Sequence, residues 1–393
     1  MADVKRILKG DRAIWAVAIL LSMVSLLAVY TSISSLAFKY QGGNTEFYFF
    51  KHFALMSGGL IMMYGAHLVS YRHYSRIAQL AIYLTIPLLL LTLFSGTNLN
   101  SASRWLEIPV INISFQTSDM AKLALIMYLA RVLSKNQKRI SDLRTAFINI
   151  IFPILLTVLL IFPANFSTAA VLFTTSFVIM YIGGVSPKHL GALVGAGLIV
   201  VLLMFAASKS FPDLLPRVNT WASRVKSFTD DSDTEGNYQA NQAKIAIATG
   251  RFIGKLPGNS EQKNFLPHPY SDFIYAIIIE EYGLIGGSFI LLLYMILLYR
   301  SVRIALRSPG TFGTFLSIGL AFSLVFQALI NMGVAVNLLP VTGQPLPLVS
   351  MGGTSLWFTS ISIGIILSVS RQVEEEDESK ISTNSKNMSY ATS

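Results

Sequence analysis

Apolar runs of about 20 residues, the length a helix needs to cross roughly 30 Å of hydrocarbon, recur along the chain at 13–37, 49–70, 74–95, 115–133, 145–162, 167–185, 188–207, 274–299, 311–335 and 351–370. Polar stretches separate them. The pattern predicts an all-α polytopic membrane protein with about ten transmembrane helices and one long connection, residues 208–271, between spans 7 and 8. That connection mixes Phe211, Trp221, Phe228, Tyr238, Phe252 and Phe265 with basic residues, and its piece Asn241 to Thr249, ending at Gly250, is compatible with a helix. Loops of this length are usually functional or disordered, and this one is expected to pack over the membrane mouth as a lid or wall. The organisation expected is a single integral-membrane domain over 1–371, followed by an acidic tail, 372–393. In the tail Glu374 to Glu378 lead into Ser, Asn, Lys and Thr, a solvated, disordered end with no core to join. No internal repeat marks the chain.

Composition agrees with a chain whose solvent is largely lipid: 53% hydrophobic, 13% charged and a mean hydropathy of +0.58. The absence of cysteine excludes disulfides, thiolate metal sites and a cysteine nucleophile. Lys5, Arg6, Lys9 and Arg12 precede a first apolar run too long for a signal-peptide core, so it is expected to be retained as a span. The net charge of +10 is spread in short basic clusters between apolar runs, which is the pattern of cytoplasmic loops and argues against a nucleic-acid partner. A cytoplasmic N-terminus puts Arg72, Arg76, Arg131, Lys135, Lys138, Arg139, Arg144, Lys188, Arg300, Arg303, Arg307 and Arg371 inside, against Lys39, Lys51 and Arg104 outside. The C-terminus is then cytoplasmic and the long loop extracytoplasmic.

Several residues do not belong in lipid. Asp272 sits where the long loop meets an apolar helix, and a carboxylate at that boundary is costly unless paired, so it is the candidate catalytic base. Lys122 lies one turn after Asp119; the two share a helix face and can pair, either to tie helices together or to position Asp272 or a diphosphate. Glu280 and Glu281 lie deeper on the helix after Asp272 and suit helix packing at least as well as catalysis. Arg104, Arg217 and Arg224 are interfacial anchors or a phosphate clamp. The segment Leu339 to Ser355 is rich in Pro and Gly and cannot be regular helix; it either lines a cavity or forms a rigid re-entrant turn. His268, between Pro267 and Pro269, has no second ligand at metal spacing.

In chain order the motifs are Ser103-Arg-Trp-Leu106; Phe115-Gln-Thr-Ser-Asp119 with Lys122; Tyr238 to Ile247, which includes Gln242; Gly254 to Lys263, which includes Asn259 and Ser260; Ser271-Asp272; Glu280-Glu-Tyr-Gly283; Gln327; Asn331; Leu339 to Gly343; and Ser350-Met-Gly352-Gly353. Together they resemble the SEDS family of membrane glycosyltransferases, the shape, elongation, division and sporulation proteins, over most of the chain. Pro257 to Lys263 looks more like the division branch, FtsW, than the elongation branch, RodA.

The resemblance implies a ten-span fold in the bacterial cytoplasmic membrane, at the division septum, and lipid II as substrate. It also implies a class B penicillin-binding transpeptidase and other divisome membrane proteins as partners. The reaction implied is glycan polymerisation: a sugar hydroxyl of one lipid-linked disaccharide attacks the anomeric carbon of another, and a polyprenyl diphosphate leaves. The donor is already activated, so one base suffices, and attack in a single step inverts the anomeric centre. Asp272 would be that base. Lys122, Asp119, Arg104, Arg224, Gln242, Asn259, Ser260, Lys263, Ser350, Gly352 and Gly353 are candidates for holding substrate, and Glu280, Glu281, Gln327 and Asn331 for support or function. A divalent cation, Mg or Mn, is a possible cofactor. A lipid II flippase and a noncatalytic division scaffold are the alternatives.

The chain departs from the family pattern at three places. Asp119 stands for a glutamate, Asn165 for an acid in a segment where Ser167 replaces glycine, and Met351 for a tyrosine.

Overall fold

The computed structural model describes residues 9–34, 36, 44–95, 97–99, 102–108, 113–137, 142, 146–210, 216–229 and 235–391. Lys5, Arg6, Lys39, Lys138, Arg139, Arg144 and Phe211 lie outside the described residues, as do the side chains of Arg104 and Arg217.

Helices occupy every apolar run. They are α1 (Arg12–Ser32), α2 (Thr45–Leu68), α3 (Tyr71–Ser95), α4 (Thr117–Lys135), α5 (Phe152–Ile161, entered through a π turn at Phe147–Ile151), α6 (Phe166–Ile182) and α7 (Pro187–Ser210). Two loop helices follow, α8 (Pro216–Thr229) and α9 (Glu235–Gly250), and then α10 (Ile274–Arg307), α11 (Thr311–Ala335) and α12 (Thr354–Ala391). Six of them, α1, α3, α7, α10, α11 and α12, are long and apolar enough to cross a membrane. The core is built where α11 packs against α4, α6 and α10, with α2 along α12 and α1 along α10.

Local chemistry fixes the helix starts. Asp11 accepts from the amides of Ala13 (2.9 Å) and Ile14 (3.2 Å), Asn44 from Phe47 (3.1 Å) and Asn165 from Thr168 (3.2 Å). The amide at 165 thus performs the cap that an acid would. Asp11 also pairs with Arg300 at 2.5 Å, closing α1 onto the far end of α10.

Three expectations are corrected. The connection before α4 is not a plain loop: β1 (Thr97–Leu99), β2 (Ala102–Ile108) and β3 (Ile113–Gln116) form an antiparallel sheet in which Trp105 faces Gln116 and Leu106 faces Phe115. The fold is therefore not purely helical, and α4 starts at Thr117, after the strand. The alternation of Ile111, Ile113 and Phe115 with Asn112, Ser114 and Gln116 is the period-2 signal for that strand.

The tail beyond 371 continues α12 as helix. Its acidic start has partners: Glu374 accepts from the Gly10 amide (2.8 Å), Glu375 pairs with Lys9 (3.4 Å) and Glu376 with Arg72 (3.4 Å). Charges that would have kept an isolated tail solvated instead meet basic groups at the end of the bundle. The long loop carries an additional helix, α8, ahead of the expected one; α9 ends at Gly250 as the sequence indicates.

Helix α10 is broken at Gly283, whose φ of 69° and ψ of −173° are non-helical. The break frees backbone groups of the helix, and the turn after α9 takes them up. Lys255 N donates to Glu280 O (2.9 Å), while Leu284 N and Ile285 N donate to Arg251 O (2.9 Å) and Phe252 O (3.3 Å). A kink among apolar residues is tolerated only with such replacement partners.

Candidate active site

Asp272 lies in a turn just before α10 rather than within the helix. The turn is built by His268, whose left-handed φ of 55° is unusual for a residue with a side chain. Its carbonyl accepts from the amides of Ser271 (3.1 Å) and Asp272 (3.2 Å), and its ring lies 3.2 Å from the Tyr270 hydroxyl. Strained backbone of this kind clusters at functional sites because surrounding structure must enforce it. Ser271 Oγ donates to Asp272 Oδ1 at 2.9 Å. Because the helix begins only at Ile274, the rotation that an unbroken helix from 272 would give Glu280 and Glu281 does not apply.

The Pro/Gly segment between α11 and α12 closes over this turn. Gly343 has a φ of +66°, and a Cβ there would stand 3.4 Å from Asp272 Oδ2. What calls for glycine at 343 is the left-handed backbone, since a Cβ there would meet the carboxylate at ordinary contact distance. Ser350 Oγ donates to Ser271 O (2.6 Å) and accepts from Leu346 N (2.7 Å), while Met351 N donates to Tyr270 O (3.0 Å). Gly352 and Gly353 then turn the chain into α12, Gly353 with a φ of 54°.

Irregular backbone inside a helical bundle leaves carbonyls that the loop cannot satisfy itself, and side chains from many helices answer. Arg224 of α8 donates to Val341 O (3.2 Å), Ser167 of α6 to Thr342 O (3.2 Å), and Asn331 of α11 to Gln344 O (2.7 Å). Gln327 of α11 donates to Pro345 O (2.9 Å), Tyr294 of α10 to Pro347 O (2.5 Å) and Ser25 of α1 to Val349 O (2.7 Å). Gln344 itself donates to Thr168 Oγ1 at 2.9 Å. The segment is a rigid wall, fixed from five helices, with Asp272 against it.

Lys122 pairs with Asp119 at 2.8 Å, as their spacing indicates, and donates to Gln327 Oε1 at 2.9 Å. It therefore reaches the wall through Gln327 and Pro345. On its other side, Asp119 and Lys122 line a small cleft of about 20 Å³ together with Ser323, Ser355, Thr359 and Ser362.

Other candidates are engaged in building the loop. Glu280 is fully buried and accepts from Lys255 Nζ (3.0 Å), Ser260 Oγ (2.5 Å), Glu261 N (3.1 Å) and Gln262 N (3.3 Å). Asn259 donates to Lys255 O (3.0 Å), and Lys263 Nζ to Gly258 O (2.7 Å). Glu281 accepts from Thr31 of α1 at 2.9 Å. Gln242 is half-buried on α9, and the backbone of Arg104 lies in β2.

The sequence places Ser271 and Gly343 in motifs and Gln344 in the Pro/Gly segment, but gives none of the three its role at the turn. A glycine or a glutamine inside an otherwise apolar Pro-rich segment was the available signal.

A second, small cleft of about 20 Å³ opens beside the wall between α6 and α8, lined by Asn165, Phe166, Ser167, Trp221, Arg224 and Thr342. The described residues hold no group of three or more His, Asp or Glu side chains arranged to bind a metal.

The family model for FtsW, RodA and SpoVE, described as cell cycle protein, matches residues 11–375. Stage V sporulation protein E of Bacillus subtilis (strain 168) is 33% identical over 370 residues, which cover 92% of this chain and 97% of that protein. A probable peptidoglycan glycosyltransferase FtsW of Geobacter metallireducens is 33% identical over 383 residues, covering 95% and 97%. Among solved structures, a chain from work described as "Structural coordination of polymerization and crosslinking by a peptidoglycan synthase complex" superposes with a TM-score of 0.71 at 24% identity, over 93% of this chain and 98% of that one. The Thermus thermophilus rod shape determining protein RodA gives 0.64 at 24% identity, over 92% and 97%. Both show a shared fold.

Proposed function

Because the chain belongs to the FtsW/RodA/SpoVE family, we propose that it is a peptidoglycan glycosyltransferase that polymerises lipid II, with Asp272 as general base. One observation carries the reading: a single carboxylate is held in an enforced turn at the start of α10, against an irregular wall fixed from five helices. Relatives named peptidoglycan glycosyltransferase supply the reaction class. Ten crossings, by α1 to α7 and α10 to α12, with both termini in the cytoplasm, put this turn on the extracytoplasmic face. The basic groups near Arg300 then lie inside, in keeping with the bias of cytoplasmic loops.

Asp272 takes the proton of the attacking sugar hydroxyl as the oxygen closes on the anomeric carbon of the second lipid-linked unit. The bond to the diphosphate breaks in the same step, so the product is inverted and the lipid diphosphate carries away the negative charge. Ser271, donating to Oδ1, leaves Oδ2 facing Gly343 as the oxygen available to the substrate. Arg224, which reaches the wall two residues before Gly343, is placed to face the departing diphosphate. Lys122 acts from behind the wall, through Gln327, and so holds the site in shape. No set of protein ligands among the described residues fits a resident metal; a divalent cation of the kind usually bound by substrate phosphates would arrive with the diphosphate. Relatives named FtsW and a sporulation protein favour work at the septum or in sporulation over wall elongation, and the structural neighbour from a complex that coordinates polymerization and crosslinking supports a class B penicillin-binding transpeptidase as partner.

The test is polymerisation by the full chain, purified with its transpeptidase partner, supplied with lipid II and with transpeptidation blocked by a β-lactam. Wild type should form glycan polymer and Asp272→Asn should not. Undiminished polymer from Asp272→Asn refutes the base. Movement of labelled lipid II across vesicles, with no polymer from either protein, would point to a flippase.

A further inference from the structure

Asn331 lies on α11, 1% exposed, with its amide nitrogen between the turn that carries Asp272 and the Pro/Gly wall. Nδ2 donates to Asp272 O at 2.8 Å and to Gln344 O at 2.7 Å. Both acceptors are carbonyl oxygens, so only the NH2 end of the amide can face them, and the orientation of the side chain is set by chemistry. Among uncharged side chains only the amides of Asn and Gln offer two donors in a fixed plane: a hydroxyl has one, and a lysine ammonium would bring a charge.

Gln327, one turn earlier on the same face of α11, donates to Pro345 O at 2.9 Å. Two amides on one rigid helix therefore hold consecutive carbonyls of the wall, and the second of them holds the candidate base as well. Ser350 makes the neighbouring tie, from the wall to Ser271 O at 2.6 Å. The carboxylate of Asp272 itself accepts from Ser271 through Oδ1, with Gly343 beside Oδ2.

We propose that Asn331 is a positioning residue: its one amide nitrogen sets the backbone of Asp272 against the wall at Gln344, and so fixes where the base stands relative to the sugar hydroxyl. The inference rests on the reading of Asp272 as the base. Misplacing a base by a fraction of its hydrogen-bond distance affects the chemical step, whereas substrate is held by groups that Asn331 does not touch.

The experiment compares Asn331→Ala and the isosteric Asn331→Asp with wild type and Asp272→Asn, each as full chain with its transpeptidase, using lipid II polymerisation and thermal unfolding in detergent. Both Asn331 variants lose the paired donors, so kcat per folded enzyme should fall by about tenfold or more, with KM for lipid II within about twofold. Both variants leave two buried carbonyls without their donor, so their melting temperatures should fall below that of Asp272→Asn, and activity is therefore compared per folded enzyme. A merely structural role would lower the folded fraction and the melting temperature and leave kcat per folded enzyme within about twofold of wild type; that result overturns the proposal. So does failure of both variants to fold while Asp272→Asn folds. An inactive Asp272→Asn beside active Asn331 variants sinks this inference alone, whereas an active Asp272→Asn sinks the base and this inference with it.

Discussion

A side-chain carbon on Gly283 would overlap the carbonyl oxygen of Phe252, because the turn after α9 is docked backbone to backbone into the break of α10. The same oxygen accepts the amide of Ile285 at 3.3 Å. The kink and the turn are one unit, and they hold the long loop beside the helix that begins at the active-site turn.

Gly283→Ala is therefore expected to destabilise the protein severely. Alanine at a φ of 69° and ψ of −173° costs on the order of 1–3 kcal/mol in backbone strain alone, and the overlap adds to it. Thermal unfolding in detergent should show a lower melting temperature, and the turn at 251–256 should be cut more readily by protease. A melting temperature equal to that of wild type would show that α10 can straighten without loss.

Glu280 and Lys255 form the ionic part of the same unit, with Lys255 also 3.3 Å from Glu261. Glu280→Ala leaves two backbone amides and Ser260 without their acceptor, and breaking such a buried pair costs roughly 3–5 kcal/mol. Burial works against the charge on Lys255, but its hydrogen bonds and attraction to Glu280 and Glu261 outweigh it and raise its pKa above the ordinary 10.5. A raised folded value means that the stabilisation is fully present below pH 10.5 and is lost as pH climbs through the folded pKa. The melting-temperature gap between wild type and Lys255→Met should be flat from roughly pH 7 to 9 and should shrink only in stronger alkali. A gap that closes near neutrality would contradict the ion pair.

Lys122→Met removes the partner of Asp119, 4% exposed, and leaves its charge buried. The loss should be roughly 3–5 kcal/mol, and adding Asp119→Asn should recover much of it, since the double variant buries no charge. Polymerisation should stay low in the double variant, because Gln327 has lost its anchor on the far side of the wall. Unfolding curves and lipid II assays on the three variants separate the two effects; full activity in the double variant would show that Lys122 does nothing for the site.

Much of this architecture was legible in the sequence because its causes are local. Apolar runs of membrane length become helices wherever they occur, Gly250 ends a helix, Asp119 and Lys122 pair because three residues separate them, and Asp272 stands out as a carboxylate at the edge of an apolar run. The strands at 102–116 had a local signal too, in the alternation around Ile113, but it was masked by the longer apolar run that follows.

What tertiary structure alone decided is which polar group answers which. Glu280 holds the loop at Ser260 and Lys255, the acidic start of the tail finds Lys9 and Arg72, and six carbonyls of the Pro/Gly wall are met by side chains from distant helices. A buried acceptor must have a donor, but the energy of that requirement carries no address along the chain. Only the packing of α1, α4, α6, α8, α10 and α11 around one irregular segment determines which residue supplies it.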